Sequence, residues 1–225
     1  MSDAPTLNPD RAQTKVVALA GATGLVGRAI LQGLLADASV TSVHSLGRRA
    51  PGVAHPKLTS HVVDFAALPL LPPLDEVYLA LGTTIKAAGS QAAFRAVDFD
   101  ANLAVASAAL AAGARRAGLV SAMGANAKSR IFYNRVKGEL EEALARLSFD
   151  GLVIARPSLL VGDREALGQP KRPAEKMTTV VSKLLGPLVP ANYRPIAASD
   201  VAFALLARVP AARGRVVLLS GEMQG

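Results

Sequence analysis

The sequence predicts an α/β domain in which helices cover both faces of a doubly wound parallel sheet. Short apolar runs alternate with amphipathic segments along the chain, beginning with "VVALA" and a helix over about Val26 to Ala36. Strands that alternate with helices in this way form parallel sheets that are buried on both faces. The 225 residues favour one domain and are enough to bury a substantial core.

Each predicted element follows from a local pattern of apolar residues. The strands are short apolar runs, which lie within residues 16–20, 40–50, 57–64, 76–84, 115–125, 149–160 and 215–221. Three further segments have apolar residues at helical spacing, and they cover residues 91–112, 130–147 and 174–185. A last helix is predicted to begin at Asp200, with Ser199 as its N-cap.

The least regular stretches of the chain define its expected organisation. Residues 1–14 are polar and contain Pro and Asp, so we expect them to form a disordered lead-in. Residues 15–225 are expected to form a single domain. Within it, residues 157–195 are expected to be a small, irregular substrate-side segment over the carboxyl ends of the strands, where open α/β sheets bind ligands.

The composition argues against several classes of protein. The formal charge of +8 is dispersed and only 4% of residues are aromatic, so we expect no nucleic-acid partner. No apolar run is long enough to span a bilayer, so we expect no membrane partner. The histidines, His44, His55 and His61, lack the spacing of metal ligands, so no metal site is predicted. The absence of cysteine and of a secretory signal favours a cytoplasmic location.

A glycine-rich turn follows the first predicted strand. In "VVALAGATGLVG", three glycines with the spacing G-x-x-G-x-x-G separate the strand from a helix. Glycines there allow a tight turn, a close approach of a pyrophosphate and close helix–strand packing, while the helix N-terminus faces the phosphates. The alternative is a tight turn without a ligand. The predicted cofactor-binding residues of this turn are Gly21, Thr23, Gly24, Leu25, Val26 and Gly27.

Two arginines distinguish between the possible dinucleotides. A site for NAD usually has an acidic residue after the second strand, to bind the ribose 2′-hydroxyl. Here the strand ends in "SLGRRA", which contains Arg48 and Arg49 and no acid. The planar, permanently charged guanidinium suits a phosphate, so NADP(H) is predicted in preference to NAD(H). The alternative is a pair of solvated surface arginines.

The residues that follow the third and fourth strands are further candidates for cofactor contacts. Asp64 is placed where an adenine amino group could be met, although it could equally cap its own loop. In "LALGTT", Leu81 and Gly82 would let the backbone pass close to the cofactor, and Thr83 and Thr84 could bind phosphate or ribose. The alternative for this second stretch is a simple turn at the end of a strand.

Tyr133 and Lys137 lie one helical turn apart in "RIFYNRVKGELEEAL". Reduction of a ketone needs a hydride and a proton for the developing alkoxide, and a tyrosine hydroxyl can supply that proton. A lysine ammonium on the next turn favours the tyrosinate and can also bind the nicotinamide ribose. Ser121 ends the fifth strand, 12 positions before Tyr133, and should reach the same crevice to hold the substrate oxygen.

The motifs "GATGLVG", "LGTT", "VSAMGA", "YNRVK" and "RPSLLVGDR", in this order, resemble the short-chain dehydrogenase/reductase superfamily. The resemblance covers about Val16 to Leu185 and is to the atypical, extended-like branch, nearest to the Tat-interacting-protein-like oxidoreductases. It implies a Rossmann fold that binds NADP(H), with a catalytic triad of Ser121, Tyr133 and Lys137. It also implies that Pro157 and Ser158 lie beside the nicotinamide.

Some features depart from the family pattern and leave alternatives open. Some members of the superfamily use an Asn of the long helix after the fourth strand in a proton relay, and neither Asp98 nor Asn102 can be aligned with it securely. The chain is also short for a nucleotide-sugar enzyme. The predicted function is therefore reduction of a small carbonyl or quinone-like molecule. The alternatives are an NADP(H)-binding regulatory protein without turnover and an epimerase- or dehydratase-like enzyme, and both a monomer and a homodimer remain open.

Overall fold

The computed structural model of the chain describes residues 14–161 and 190–224, which contain a seven-stranded parallel sheet. The strand order is β3-β2-β1-β4-β5-β6-β9, and every neighbouring pair is parallel. The strands are β1 (Lys15–Ala20), β2 (Val40–Gly47), β3 (Leu58–Val62), β4 (Glu76–Leu79), β5 (Arg116–Val120), β6 (Gly151–Arg156) and β9 (Gly214–Leu219). The predicted doubly wound sheet is confirmed. The predicted helix 174–185 lies outside the described residues.

Helices cover both faces of this sheet. They are α1 (Leu25–Ala36), α2 (Ile85–Ala88), α3 (Gln91–Arg95), a π segment (Ala96–Ala101), α4 (Asn102–Ala111), α5 (Phe132–Ala145) and α6 (Ala198–Arg208), with 3₁₀ turns at Ala191–Tyr193, Val209–Ala211 and Ser220–Glu222. On one face, α1 and α6 bury Ile30 and Leu205. On the other face, α4 and α5 bury Val105 and Leu140, so packing against the sheet accounts for the apolar composition of α4.

The direction of strand addition reverses between β1 and β4. The chain adds strands outward from β1 to β2 and β3, and then returns to place β4 on the other side of β1. Ala20 at the end of β1 is in register with Leu46 of β2 and with Leu79 of β4. The segments that follow these three strands therefore share one edge of the sheet, at the switch point where such folds bind ligands.

Two details of the secondary structure differ from the sequence prediction. The last long helix begins at Ala198, with Ala197 as its N-cap, so the prediction of Ser199 as the N-cap was wrong. The reason is tertiary: β8 (Ile196–Ala197) pairs with β7 (Leu160–Val161), and this pairing keeps the backbone extended up to Ala197. The predicted single helix over 91–112 is also interrupted by the π segment.

Membrane-spanning helices and clusters of metal ligands are both absent from the described part of the chain. Over residues 14–161 and 190–224, no helix combines the length and the apolar character needed to cross a membrane. Over the same residues, no three histidine or carboxylate side chains lie close enough together to hold a metal ion.

Two histidines form a pair near the β3 edge of the sheet. The His44 Nδ1 atom lies 3.0 Å from Nε2 of His61, and the Ser42 hydroxyl lies 3.2 Å from Nε2 of His44. Partial burial lowers the pKa of His44, and the adjacent His61 imidazole lowers it further. The folded protein therefore favours the neutral form of His44.

This pair predicts acid-sensitive stability. Because the pKa of His44 is depressed in the folded state, its stabilising effect is complete above the unfolded-state pKa of about 6.5 and is lost as the pH falls below that value. The urea midpoint of the wild type should fall on acidification, and that of His44→Asn should fall less. Urea unfolding across this pH range measures the effect, with His55→Asn as the control outside the pair. The same fall in wild type and His44→Asn would contradict the prediction.

Candidate active site

The glycine turn between β1 and α1 has a backbone that only glycine can form. Gly21 has a φ of 90°, and a Cβ atom there would lie 2.5 Å from the Ala80 carbonyl oxygen. A Cβ atom on Gly27 would lie 2.0 Å from the carbonyl oxygen of Gly21. The turn is thus in close contact both with the segment after β4 and with the first turn of α1.

The first turn of α1 contains no acidic side chain that could interact with its free N–H groups. Gly24 is the N-cap and provides no side-chain hydrogen bond. Thr23 and Leu25 are partly exposed beside it, whereas Val26 is buried. The free N–H groups at such a helix terminus attract phosphate, so the geometry of this turn fits a dinucleotide pyrophosphate.

Arg48 and Arg49 lie next to this turn. The Gly21 N–H donates to the Leu46 carbonyl at 3.4 Å, so the end of β2 adjoins the glycine turn. Both arginines are exposed, and within the described residues neither guanidinium has an ion-pair partner. Two unpaired cations at this position are compatible with a 2′-phosphate, and that contact stays a prediction.

Asp64 lies in the loop after β3 and is exposed. Its Oδ1 atom accepts a hydrogen bond from the Ala66 N–H at 3.0 Å, and its carbonyl accepts one from the Ala67 N–H at 3.1 Å. The carboxylate therefore caps its own loop, as the alternative to an adenine contact proposed. The predicted contact with adenine stays a prediction.

The loop Leu81–Thr84 is held by the long helical region that follows it. The Asn102 amide donates to the Leu81 carbonyl at 3.1 Å, and the Thr83 N–H donates to Oδ2 of Asp98 at 2.8 Å. The Thr84 hydroxyl accepts from the Ala87 N–H at 3.0 Å, so it is the N-cap of α2. Only Gly82 is exposed in this loop, and it is free to face a ligand.

Tyr133 and Lys137 lie on one face of α5. Tyr133 is partly exposed, and its ring packs against the buried Phe94 ring with centroids 5.4 Å apart. Lys137 is only 4% exposed, and its ammonium lies 2.7 Å from Oδ1 of the fully buried Asp98. The structure therefore brings the tyrosine and lysine together and adds a carboxylate to them.

The environment keeps Lys137 charged. Burial lowers the pKa of Lys137, but the Asp98 carboxylate raises it and the Tyr133 and Glu141 side chains raise it further, so the net pKa is above its ordinary value. A buried ammonium is stable only beside such a partner, because an unpaired buried charge loses its hydration without compensation.

The Ser121 hydroxyl, which was predicted to hold the substrate oxygen, is bound to a side chain of the protein. It donates to Oε1 of Glu141 at 2.5 Å, and Glu141 is 1% exposed. Arg156 donates to both oxygens of the same carboxylate, at 3.0 and 2.5 Å, and Arg215 donates to Oε2 at 3.2 Å. A hydroxyl has one proton to donate, so Ser121 can only accept a further hydrogen bond while Glu141 holds it.

A cleft of 240 Å³ opens beside this charged cluster. Its lining residues are Ala125, Asn126, Ala127, Gly138, Glu141, Glu142, Arg156 and Arg215. Tyr133 and Lys137 are not among them, so this cleft is distinct from the crevice predicted at the switch point. Its walls combine two carboxylates with two guanidinium groups, and they have no excess of either charge.

Pro157 and Ser158 follow β6. The Pro157 carbonyl accepts from the Met123 N–H at 3.0 Å, which joins the segments that follow β5 and β6. The Ser158 hydroxyl donates to the Arg194 carbonyl. The Ser220 hydroxyl in turn donates to the Ser158 hydroxyl oxygen at 3.0 Å. Ser158 thus links this segment to residues near the end of β9, and its predicted contact with nicotinamide stays a prediction.

Sequence reasoning missed the role of Glu141 and left that of Asp98 unassigned. Glu141 follows Lys137 by one helical turn, so the sequence did place it on the same face of α5. Asp98 has no such signal, because its contact with Lys137 depends on the packing of two separate helical segments.

The chain has curated relatives of similar length. It is 40% identical over 180 residues to the protein fmp52, mitochondrial, of Emericella nidulans, and the match covers 76% of each chain. It is 36% identical over 195 residues to the protein FMP52, mitochondrial, of Candida albicans, covering 80% of this chain and 82% of the relative. No protein-family model matches the sequence.

Solved structures show the same fold at low sequence identity. The Bordetella bronchiseptica enzyme WbmF, in complex with NAD⁺ and UDP, aligns with a TM-score of 0.69 and 19% identity, covering 95% of this chain and 75% of that one. A short-chain dehydrogenase/reductase superfamily protein from Agrobacterium tumefaciens, with bound NAD, aligns with a TM-score of 0.65 and 16% identity, covering 91% and 77%. The chain therefore has a Rossmann-type α/β fold, as these structures do.

Two sequence-based expectations need correction. The relatives have the name Fmp52, so the nearer resemblance to Tat-interacting-protein-like oxidoreductases is not supported. The expected cytoplasmic location is contradicted by the same relatives, which are named as mitochondrial proteins. The physical reason for the second error is simple: an absence of cysteine excludes disulfides in every compartment and distinguishes none of them.

The comparisons and the geometry agree on the broad class of the protein. The parallel sheet and the glycine turn after β1 fit the Rossmann-type fold, and identity to the curated relatives extends over most of the chain. The chain belongs to the Fmp52 family.

Proposed function

We propose that this protein is an NADP(H)-dependent oxidoreductase that reduces a small carbonyl or quinone-like compound. The observation that supports the proposal most directly is the pairing of Tyr133 with a charged, buried Lys137 on α5. Asp98 joins Lys137 to the loop Leu81–Thr84, which follows β4 at the switch point of the sheet. These contacts support Tyr133 as a proton donor near the switch point, where a nicotinamide would bind.

The residues of the switch point fit a dinucleotide. The glycine turn leaves no room for side chains between β1, α1 and Ala80, and α1 begins without an acidic residue. Gly21, Gly24 and Gly27 would accommodate the pyrophosphate, and Arg48 and Arg49 would bind the 2′-phosphate. When bound, the nicotinamide supplies the hydride.

In the proposed reaction the protein supplies the proton. Tyr133 would donate its hydroxyl proton to the substrate oxygen, and the Lys137 ammonium would stabilise the tyrosinate that remains. Packing against Phe94 fixes the orientation of the tyrosine ring. Ser121 would donate a hydrogen bond to the substrate carbonyl only after its hydrogen bond to Glu141 is broken. While that bond is present, the Ser121 oxygen can accept a hydrogen bond from the alcohol product.

The same hydrogen bond favours a second candidate function. While the Ser121 hydroxyl donates to Glu141, it cannot donate to a substrate, and only Tyr133 and Lys137 of the expected triad remain available. An NADP(H)-binding regulatory protein would need the glycine turn and the arginines but no free Ser121 hydroxyl. Because the relatives are named as mitochondrial proteins, we propose a mitochondrial location for either function.

The choice of NADP(H) is tested by removing the two cations. The double variant Arg48→Ala/Arg49→Ala should weaken NADPH binding by about tenfold or more, because charge-assisted hydrogen bonds contribute about 1.5–3 kcal/mol each. NADH binding should change little, since NADH has no 2′-phosphate. Titration of nicotinamide fluorescence measures both affinities. The control, Arg208→Ala/Arg213→Ala, removes two other exposed arginines, and an equal loss of NADPH and NADH binding would contradict the prediction.

The role of Tyr133 is tested by removing one oxygen atom. Tyr133→Phe should lower the rate of carbonyl reduction by roughly 10²–10⁴-fold, the usual contribution of a general acid. NADPH affinity should stay nearly unchanged because the ring still packs against Phe94. The oxidation of NADPH is followed with those carbonyl and quinone compounds that the wild type reduces. Tyr193→Phe, at an exposed tyrosine, is the control, and retained turnover in Tyr133→Phe would rule out the proposed proton donor.

A further inference from the structure

Asp98 contacts two parts of the proposed site with its two carboxylate oxygens. Oδ1 lies 2.7 Å from the Lys137 ammonium, and Oδ2 accepts a hydrogen bond from the Thr83 N–H at 2.8 Å. Asp98 is fully buried and Lys137 is 4% exposed, so bulk water screens neither charge. A single carboxylate therefore fixes the position of Lys137 relative to the loop Leu81–Thr84.

The backbone around Asp98 is adapted to this position. Asp98 lies in the π segment Ala96–Ala101, and such segments occur frequently at functional sites. Asn102, the first residue of α4 after this segment, donates from its side-chain amide to the carbonyl oxygens of Asp98 and Leu81, each at 3.1 Å. The π segment is thus bound through both backbone and side chains to the loop that follows β4.

The carboxylate of Asp98 also determines the net charge of the crevice. The groups that act on the Lys137 ammonium are Asp98, Tyr133 and Glu141. Glu141 is already bound by Ser121, Arg156 and Arg215, so the two guanidinium groups compensate its charge. The Asp98 charge is available for Lys137, and the two together form a neutral pair.

We propose that Asp98 is a positioning residue that neutralises Lys137, so that the crevice can accept the positively charged oxidised nicotinamide as well as the neutral reduced one. This inference rests on the proposed binding of NADP(H). Without Asp98, the ammonium would be an uncompensated cation in a poorly screened position. It would then repel the oxidised ring and leave the reduced ring almost unaffected.

The test compares the affinities of NADP⁺ and NADPH in wild type, Asp98→Asn and Asp100→Asn. Asp98→Asn preserves shape and removes the charge, whereas Asp100 is an exposed aspartate of the same π segment and is the matched control. At about pH 6, the ratio of the NADP⁺ to the NADPH dissociation constant should rise about tenfold in Asp98→Asn, since a unit charge in a site of intermediate dielectric has an effect of that order. In Asp100→Asn this ratio should stay near that of the wild type.

The pH dependence separates a charge effect from a general distortion. Burial favours the neutral amine of Lys137 once Asp98 is gone, so the shift in Asp98→Asn should shrink as the pH is raised to about 9. A distortion of the loop would weaken both forms of the cofactor at every pH. An unchanged ratio at both pH values would overturn the proposed role of Asp98.

A second variant covers the case in which Asp98→Asn does not fold. Asp98→Asn/Lys137→Met contains no unpaired buried charge, so it should fold better than the single variant and should have a ratio close to that of wild type. A ratio in the double variant that differs from wild type by tenfold or more would overturn the inference.

If wild type binds neither NADP⁺ nor NADPH, the proposed function fails and this inference fails with it. If wild type binds both and the variants leave the ratio unchanged, only the inference about Asp98 fails.

Discussion

The close backbone contact between the turn at Gly21 and the segment after β4 is the constraint on which the rest of the site depends. At Gly21 a Cβ atom would lie 2.5 Å from the Ala80 carbonyl oxygen, so the two segments can meet only because this residue has no side chain. The contact places the N-terminus of α1 directly beside the loop Leu81–Thr84. Asp98 and Asn102 are hydrogen-bonded to that loop, and Asp98 also contacts Lys137.

A second layer of the architecture consists of two buried carboxylates on either side of Lys137. Asp98 binds the ammonium directly, and Glu141 lies one turn further along α5 with Ser121 and two arginines around it. Asp98 is compensated by Lys137, and Glu141 is compensated by the two arginines. The charges are therefore separated into two groups, one at the loop Leu81–Thr84 and one at the cleft lined by Arg156 and Arg215.

The sequence predicted those features that depend on local pattern. Apolar runs predicted the strands, and the spacing of the glycines predicted a turn that opens a helix, because both are properties of neighbouring residues. Features that depend on distant partners could not be predicted. The hydrogen bond from Ser121 to Glu141 requires the packing of β5 against α5, and the start of α6 at Ala198 depends on the pairing of β8 with β7. The π segment likewise becomes intelligible only when Asp98 is seen between Thr83 and Lys137.

The face of α5 that contains Tyr133, Lys137 and Glu141 combines a proposed proton donor with two buried charges. Successive turns take this face from a partly exposed tyrosine to a buried ammonium and then to a fully buried carboxylate. Only the first of the three is partly exposed, and the other two have fixed ionic partners because their side chains are buried. The partners come from different elements, Asp98 from the π segment and Arg156 from β6. The ionic contacts therefore hold α5 one and two turns beyond Tyr133, and the Tyr133 ring itself packs against Phe94.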